Sequence, residues 1–530
     1  MSSSVAEPST VPQFGPKQHR YQHMKKTIAI AFVVVLVISL ALWLRYSPFA
    51  RGPVLQDLAE ASDSSVTIRS FRQIHFPFPG CVIEGLVFHH GSAQNPPLIT
   101  IERLTIRGNY FGMLAGHVSS VVAEGMRVAV APFGENETLH THPSKIVIDE
   151  IVANGSVVEF LSRDPQQPPL RFDIHQVSLQ NVGWSGPLRY KVAVHNPEPP
   201  GEVTAQGEFG VWHQDNPQET PLSGEYTFDR ADLGVYEGIA GTLTSKGKFS
   251  GTLKHIDISG NIDIPDFEVQ SAHHEVHLQA DYEAYVDASH GDTYLKRVDA
   301  HFKKTRVVAE GSIAGTPGHK GKTALIQLTA KNARIEDMLG LFVNDPRSPM
   351  SGPASLRAKA EIPPGDAPFL KKVKLDGTFG VDEGQFTNPE TQTNVDQLSA
   401  GARGDKKDDP ADVVSELKGR AVLESGTATF SNLSFGIPGA AAKMHGTYSV
   451  ITHKVDLHGT MQVDTNISKT TTGMKSLVLK IINPIFKKKK KGEIVPVHIG
   501  GTYDHPTFGL DLGDHSQPSK SPQEPQPQKH

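Results

Sequence analysis

Histidine is the residue type with the most chemistry to offer here, at 25 copies in 530 residues. Its densest cluster is Ala272-His273-His274-Glu275-Val276-His277. On a strand, His273, Glu275 and His277 share one face, so a surface metal site is conceivable. The spacing is not the His-Glu-x-x-His of a helical zinc site, and a solvated strand face is the reading preferred. No Gly-x-Ser-x-Gly elbow presents a nucleophile. No Walker A or Gly-x-Gly-x-x-Gly loop opens a helix after a strand. Acidic pairs are spaced along polar strand faces, where solvation accounts for them. No catalytic, cofactor-binding or metal-ligating residue is assigned, and no enzyme is expected. The single cysteine, Cys81, excludes an intrachain disulfide and a multi-cysteine zinc site. A net charge of −5 argues against a nucleic-acid partner, which calls for a basic face.

The strongest charge feature is Lys487, Lys488, Lys489, Lys490 and Lys491. It reads as a solvated loop, or as a contact for anionic headgroups worth about 1 kcal/mol per basic residue. Leu477, Val478, Leu479, Ile481, Ile482, Ile485 and Phe486 precede it. They suit a short apolar helix that lies on a membrane or a partner, or that caps an open sheet edge; the cap is preferred.

The elements that would carry these residues are mostly strands. Residues 275–287 read EVHLQADYEAYVD, with Val276, Leu278, Tyr282 and Val286 on one face and charged residues opposite. Residues 255–264 place Ile256, Ile258, Ile262 and Ile264 together, and residues 454–464 do so with Val455, Leu457, Met461 and Val463. These twelve residues are the candidate lining of an apolar surface. Further strands are expected at Ser65–Phe71, Cys81–His89, Leu98–Arg107, Val118–Val130, Lys145–Phe160, Thr323–Ala330 and Lys371–Val381. Helices are expected at Pro53–Ala61, Arg334–Val343 and Lys475–Phe486. Ser425-Gly426, Pro438-Gly439, Ser259-Gly260 and Asn154-Gly155 mark turns, or bends within strands.

Thr27–Leu44 holds eighteen uncharged residues. As a helix it would be about 27 Å long, close to the roughly 30 Å core of a bilayer. A cleaved signal peptide is disfavoured by this length and by the absence of a small-residue cleavage pattern. Lys17, Arg20, Lys25 and Lys26 before the span outnumber Arg45 and Arg51 after it, which favours a cytoplasmic N-terminus. The expected organisation is a disordered tail (1–24), a transmembrane helix (25–45), β regions at 46–160, 161–369 and 370–512, and a disordered tail (513–530). The fold class is mainly β, an elongated antiparallel sheet with few short helices. About 20–24 strands at about 4.8 Å spacing would extend about 100–115 Å, and a sheet so large must twist and curl into a trough. Alternation alone equally allows a closed sandwich core.

The phrases GIPGAAAKMHGTY (436–448), VDLHGT (455–460), TTGMKSLVLKIINPIF (471–486) and GEIVPVHIGGTYDHPTFGLDL (492–512), in this order, resemble the C-terminal region of AsmA-like proteins of the bacterial envelope. FPGCVIEGLVFHH and LITIERLTIRGNYFGMLAG look like the same family's early region. That family is similar to TamB-like and chorein-type β-groove proteins. The resemblance implies a single-pass inner-membrane anchor, a periplasmic body, and membrane phospholipids and other envelope proteins as partners. It supplies no catalytic residue. The functional expectation is a β groove that shields phospholipid acyl chains during transfer. The alternative is an anchored, non-enzymatic scaffold that assists outer-membrane assembly or homeostasis.

Overall fold

The computed structural model describes residues 33–38, 49–62, 64–89, 99–110, 112, 117–130, 147–160, 169–183, 186–211, 213, 216–236, 238–288, 291–315, 321–343, 347–365, 367–403, 413–463, 494–502 and 506–510. The chain is mainly β, and its strands pair antiparallel with their sequence neighbours in an open, uncurled sheet rather than the curled trough expected of so many strands. Two compact units are distinguished. One comprises Met1–Val130, Asn136–Ser156 and Gln180–Trp184, and the other the remaining residues.

In the first unit, helix α1 (Arg51–Ser62) matches the expected helix with Pro53 in its first turn. Strands β1 (Ser65–Thr67) and β2 (Ser70–Ile74) divide the single strand expected at Ser65–Phe71, and both pair with β3 (Gly80–His89). On its other edge β3 pairs with β4 (Ile99–Arg107), which pairs with β5 (His117–Val130). Cys81, Ile83 and Leu86 on β3 are fully buried. The buried set steps from odd to even positions at Gly85, whose φ of +62° only glycine adopts without strain. Burial pushes the Cys81 thiol up to about 12, so it behaves as an apolar core group.

Strands β6 (Val147–Phe160) and β7 (Leu170–Val182) contribute residues to both units. Gly155 of the expected Asn154-Gly155 turn is a left-handed bend inside β6.

The second unit continues with β8 (Leu188–Pro197), β9 (Pro200–Phe209), β10 (Pro221–Asp232), β11 (Ile239–Ala240), β12 (Thr242–Thr252), β13 (His255–Val269) and β14 (Glu275–Asp287). Next are β15 (Asp292–Phe302), β16 (Thr305–Gly315), β17 (Lys322–Arg334), helix α2 (Ile335–Gly340), β18 (Met350–Ser351), β19 (Pro353–Ile362) and helix α3 (Phe369–Lys372). Then come β20 (Lys374–Phe386), helix α4 (Pro389–Arg403), β21 (Ser415–Glu424), β22 (Thr427–Ile437), β23 (Ala440–Ser449), β24 (Val455–Val463), β25 (Ile494–Gly501) and β26 (Pro506–Leu510). The ladder is serial, with β11 and β18 as short additions that pair with β13 and β20.

Two expectations shift at their ends. The strand expected from Lys371 starts at Lys374, because Pro368 is followed by one helical turn. The helix expected over Arg334–Val343 is the shorter α2, with Arg334 still in β17.

Helix α4 was not anticipated. Asn388 caps it by accepting from the N–H groups of Glu390 and Thr391 at 2.9 and 3.1 Å. Val395 packs on a buried cluster of Leu433, Ile437, Met444, Met461, Val463 and Val495. Asp396 and Ser399 point inward as well. Asp396 accepts from the Val413 N–H at 2.9 Å, and Ser399 donates to the Pro438 carbonyl at 2.8 Å.

Of the expected span, residues 33–38 are helical and exposed. Among the described residues no helix is long and apolar enough to cross a membrane. The rest of that span, both tails, Lys487–Lys491 and the expected helix Lys475–Phe486 lie outside the described residues.

Candidate functional site: an apolar row across the ladder

Side chains directly opposite each other on paired strands share a face, so the register can be followed from strand to strand. Starting at Val192 on β8, the partners run Ala205, Tyr226, Gly247, Gly260, Tyr282, Val298 and Ala309. They continue through Leu328, Ala358, Gly377, Ala421, Phe430, Gly446, Leu457 and Ile499 on β25. Sixteen consecutive strands therefore place no charged or amide side chain in this row. Fifteen spacings of about 4.8 Å give a path of about 72 Å along the sheet. Half of the row is Gly or Ala, so its floor lies close to the backbone.

Adjacent rows have the same character. Tyr190, Gly207, Gly224, Phe249, Ile258, Ala284 and Leu295 lie on one side of it. Phe228, Ser245, Ile262, Ala280 and Ala300 lie on the other. The opposite face is polar: Thr204, Thr227, Lys246, Asn261, Asp281 and Asp299 are partners in sequence. There Arg306 and Arg297 donate to the Asp299 carboxylate and hold it well below the usual carboxylate range. Arg420 grips Asp376 through two bonds of 2.9 and 2.6 Å.

The eight candidates on β13 and β14 come together on the apolar face. Ile256 faces Val286 and Ile264 faces Leu278; Ile258, Ile262 and Tyr282 fill the positions between, and Val276 lies beyond them, opposite Phe267. Ile256, Ile264 and Val276 are buried; Ile258, Ile262, Leu278, Tyr282 and Val286 remain partly exposed. Val455 and Leu457 on β24 are partly exposed, whereas Met461 and Val463 belong to the buried cluster beneath α4.

Aromatic side chains reach across the glycines. The Tyr226 and Tyr282 hydroxyls meet above Gly247 and Gly260, although two strands separate them. A Cβ at Gly247 would lie 2.8 Å from the Tyr226 ring and 2.5 Å from the Ser259 carbonyl oxygen, so no larger residue fits there. Tyr190 lies in the same way over Gly207 and Gly224 and donates to the Ser223 carbonyl at 3.1 Å. Burial pushes its phenol up to about 12.

The histidine cluster does not assemble. His273 sits in the turn before β14 with φ +54° and pairs with Glu268, while His277 on β14 pairs with Asp263 at 2.7 Å. A different group, Asp456, His458 and His498, brings its ligand atoms within 4.8 Å of one another. Sequence reasoning passed over it, because His498 is 40 residues from His458 and only the β24–β25 register joins them. The D-x-H spacing inside VDLHGT was the available signal.

Compared with protein-family models, with curated proteins and with solved structures, the chain matches none.

Proposed function

We propose that this chain is a membrane-anchored β-groove protein whose apolar face holds phospholipid acyl chains while headgroups stay in water. The observation that carries the reading is the uncharged row over sixteen strands, with large members Tyr226, Tyr282, Val298 and Leu328 left partly exposed. Each methylene moved from water onto such a face contributes about 0.8 kcal/mol. An even row keeps that energy nearly constant as a chain slides along it, so no covalent chemistry is needed.

The exposed apolar helix at residues 33–38 and the flanking basic residues support a single-pass inner-membrane anchor with the body in the periplasm. The AsmA-like phrases support the same setting. An assembly scaffold remains the competing function, with a protein segment in place of lipid on the row.

A photo-crosslinking amino acid placed at Leu328 or Val298 in the full chain, in membranes, tests this. Phospholipid adducts are expected at both positions and not at Thr329, which faces the other way. Equal labelling at Thr329, or protein adducts alone at Leu328, would overturn the lipid reading.

A further inference from the structure

Asp456 and His458 are two residues apart on β24 and so project from the same, polar, face. Register sets His458 opposite His498 on β25. Both imidazoles turn Nε2 toward one carboxylate oxygen, Asp456 Oδ1, at 3.2 Å from His458 and 2.9 Å from His498. The two rings stack with centroids 4.4 Å apart and planes 25° apart.

Among the described residues, this convergence differs from the histidine–carboxylate contacts of His273, His277, His175 and His195. His277 and His273 each meet a separate carboxylate. Glu202 meets two histidines, but with a different oxygen for each, Oε2 toward His175 and Oε1 toward His195. At Asp456 two nitrogens and one oxygen point at a common centre.

The backbone is shaped for it. Gly500, two residues beyond His498 on β25, leaves the space that the His498 ring fills. A Cβ there would stand 2.9 Å from His498 Cε1 and 3.3 Å from its Nε2.

We propose that Asp456, His458 and His498 form a binding site for a divalent transition-metal ion of the zinc class, which clips β24 to β25. Two imidazole nitrogens and a carboxylate oxygen suit such ions better than calcium or magnesium, which prefer oxygen-only shells. Zinc–ligand bonds of about 2.0–2.2 Å place tetrahedral ligands roughly 3.3 Å apart. Side chains already within 4.8 Å reach that by small rotamer shifts at the surface. The fourth position is left to water. The clip joins the strands on either side of residues 464–493, the connection that carries Lys487–Lys491. It is independent of what occupies the apolar face.

The test is Co²⁺ titration of the chelator-treated full chain at neutral pH, followed by a Zn²⁺ chase. One equivalent of Co²⁺ is expected to give a tetrahedral visible absorption that Zn²⁺ abolishes. His498→Ala and His458→Ala should weaken binding by about tenfold or more. Gly500→Ala keeps every ligand but displaces the His498 ring, and should weaken binding in the same direction even if a histidine variant fails to fold. His277→Ala, a control for the other histidines, should leave the titration unchanged. Absence of the one-equivalent band in the parent, or its persistence with unchanged affinity in His498→Ala and Gly500→Ala, would overturn the site.

Discussion

Leu328 on β17 and Leu433 on β22 each stand between polar residues in an alternating strand, yet their surroundings differ. Leu328 is flanked in its row by Ala309 and Ala358 and stays partly exposed. Leu433 is 8% exposed in the cluster that Val395 of α4 packs against. The same sequence rhythm thus yields an open surface in one stretch and a closed core in another. What decides is whether the connection between two strands supplies a helix to lie on the face. The 28 residues between β20 and β21 include α4, whereas the β13–β14 connection is a short turn.

Truncation should separate the two stretches most sharply. Leu433→Ala removes buried atoms from a packed cluster and should cost about 2–5 kcal/mol. Leu328→Ala, at a partly exposed site, should cost clearly less, about 1 kcal/mol. Urea midpoints of the full chain measure both, and equal losses would mean that the row is as covered as the cluster. Loosening the cover should have a smaller effect. Asp396→Ala leaves the buried Val413 N–H without its acceptor and should cost about 1–3 kcal/mol, with faster hydrogen exchange at Val463 and Val495 and no change at Leu328. The smallest effect lies on the polar face. The Asp299 carboxylate is held down by Arg306 and Arg297, so it contributes stability above the unfolded carboxylate range and loses it as pH falls through its depressed folded value. Asp299→Asn should be less stable at neutral pH by a surface-pair amount, about 0.2–1 kcal/mol. The difference should shrink on acidification, as urea midpoints taken stepwise into the acid range would record.

Much of the strand content was legible because β13, β14 and β24 alternate almost without interruption. The stretch from β8 to β12 was not, and its row explains why. Ala205, Gly207, Ser245 and Gly247 hold inward positions where a large apolar residue would have marked the period. Helix α4 escaped because its inward side carries Asp396 and Ser399, which bond to Val413 and Pro438 instead of adding to an apolar stripe. Its start was readable in Asn388-Pro389, a cap followed by proline. The paired residues of the apolar face were found within strands. The row itself, like the Asp456 group, exists only through register, which pairs residues that no local pattern relates.

The serial pairing of β8 to β26 has a mechanical consequence. A strand of this ladder exchanges main-chain bonds only with its immediate neighbours, so the ladder behaves as a one-dimensional array. Its length is then a variable separate from its cross-section. Inserting one hairpin would extend the path by about 10 Å while leaving every other row position in place, and unravelling from one end would shorten it without dissolving the remainder.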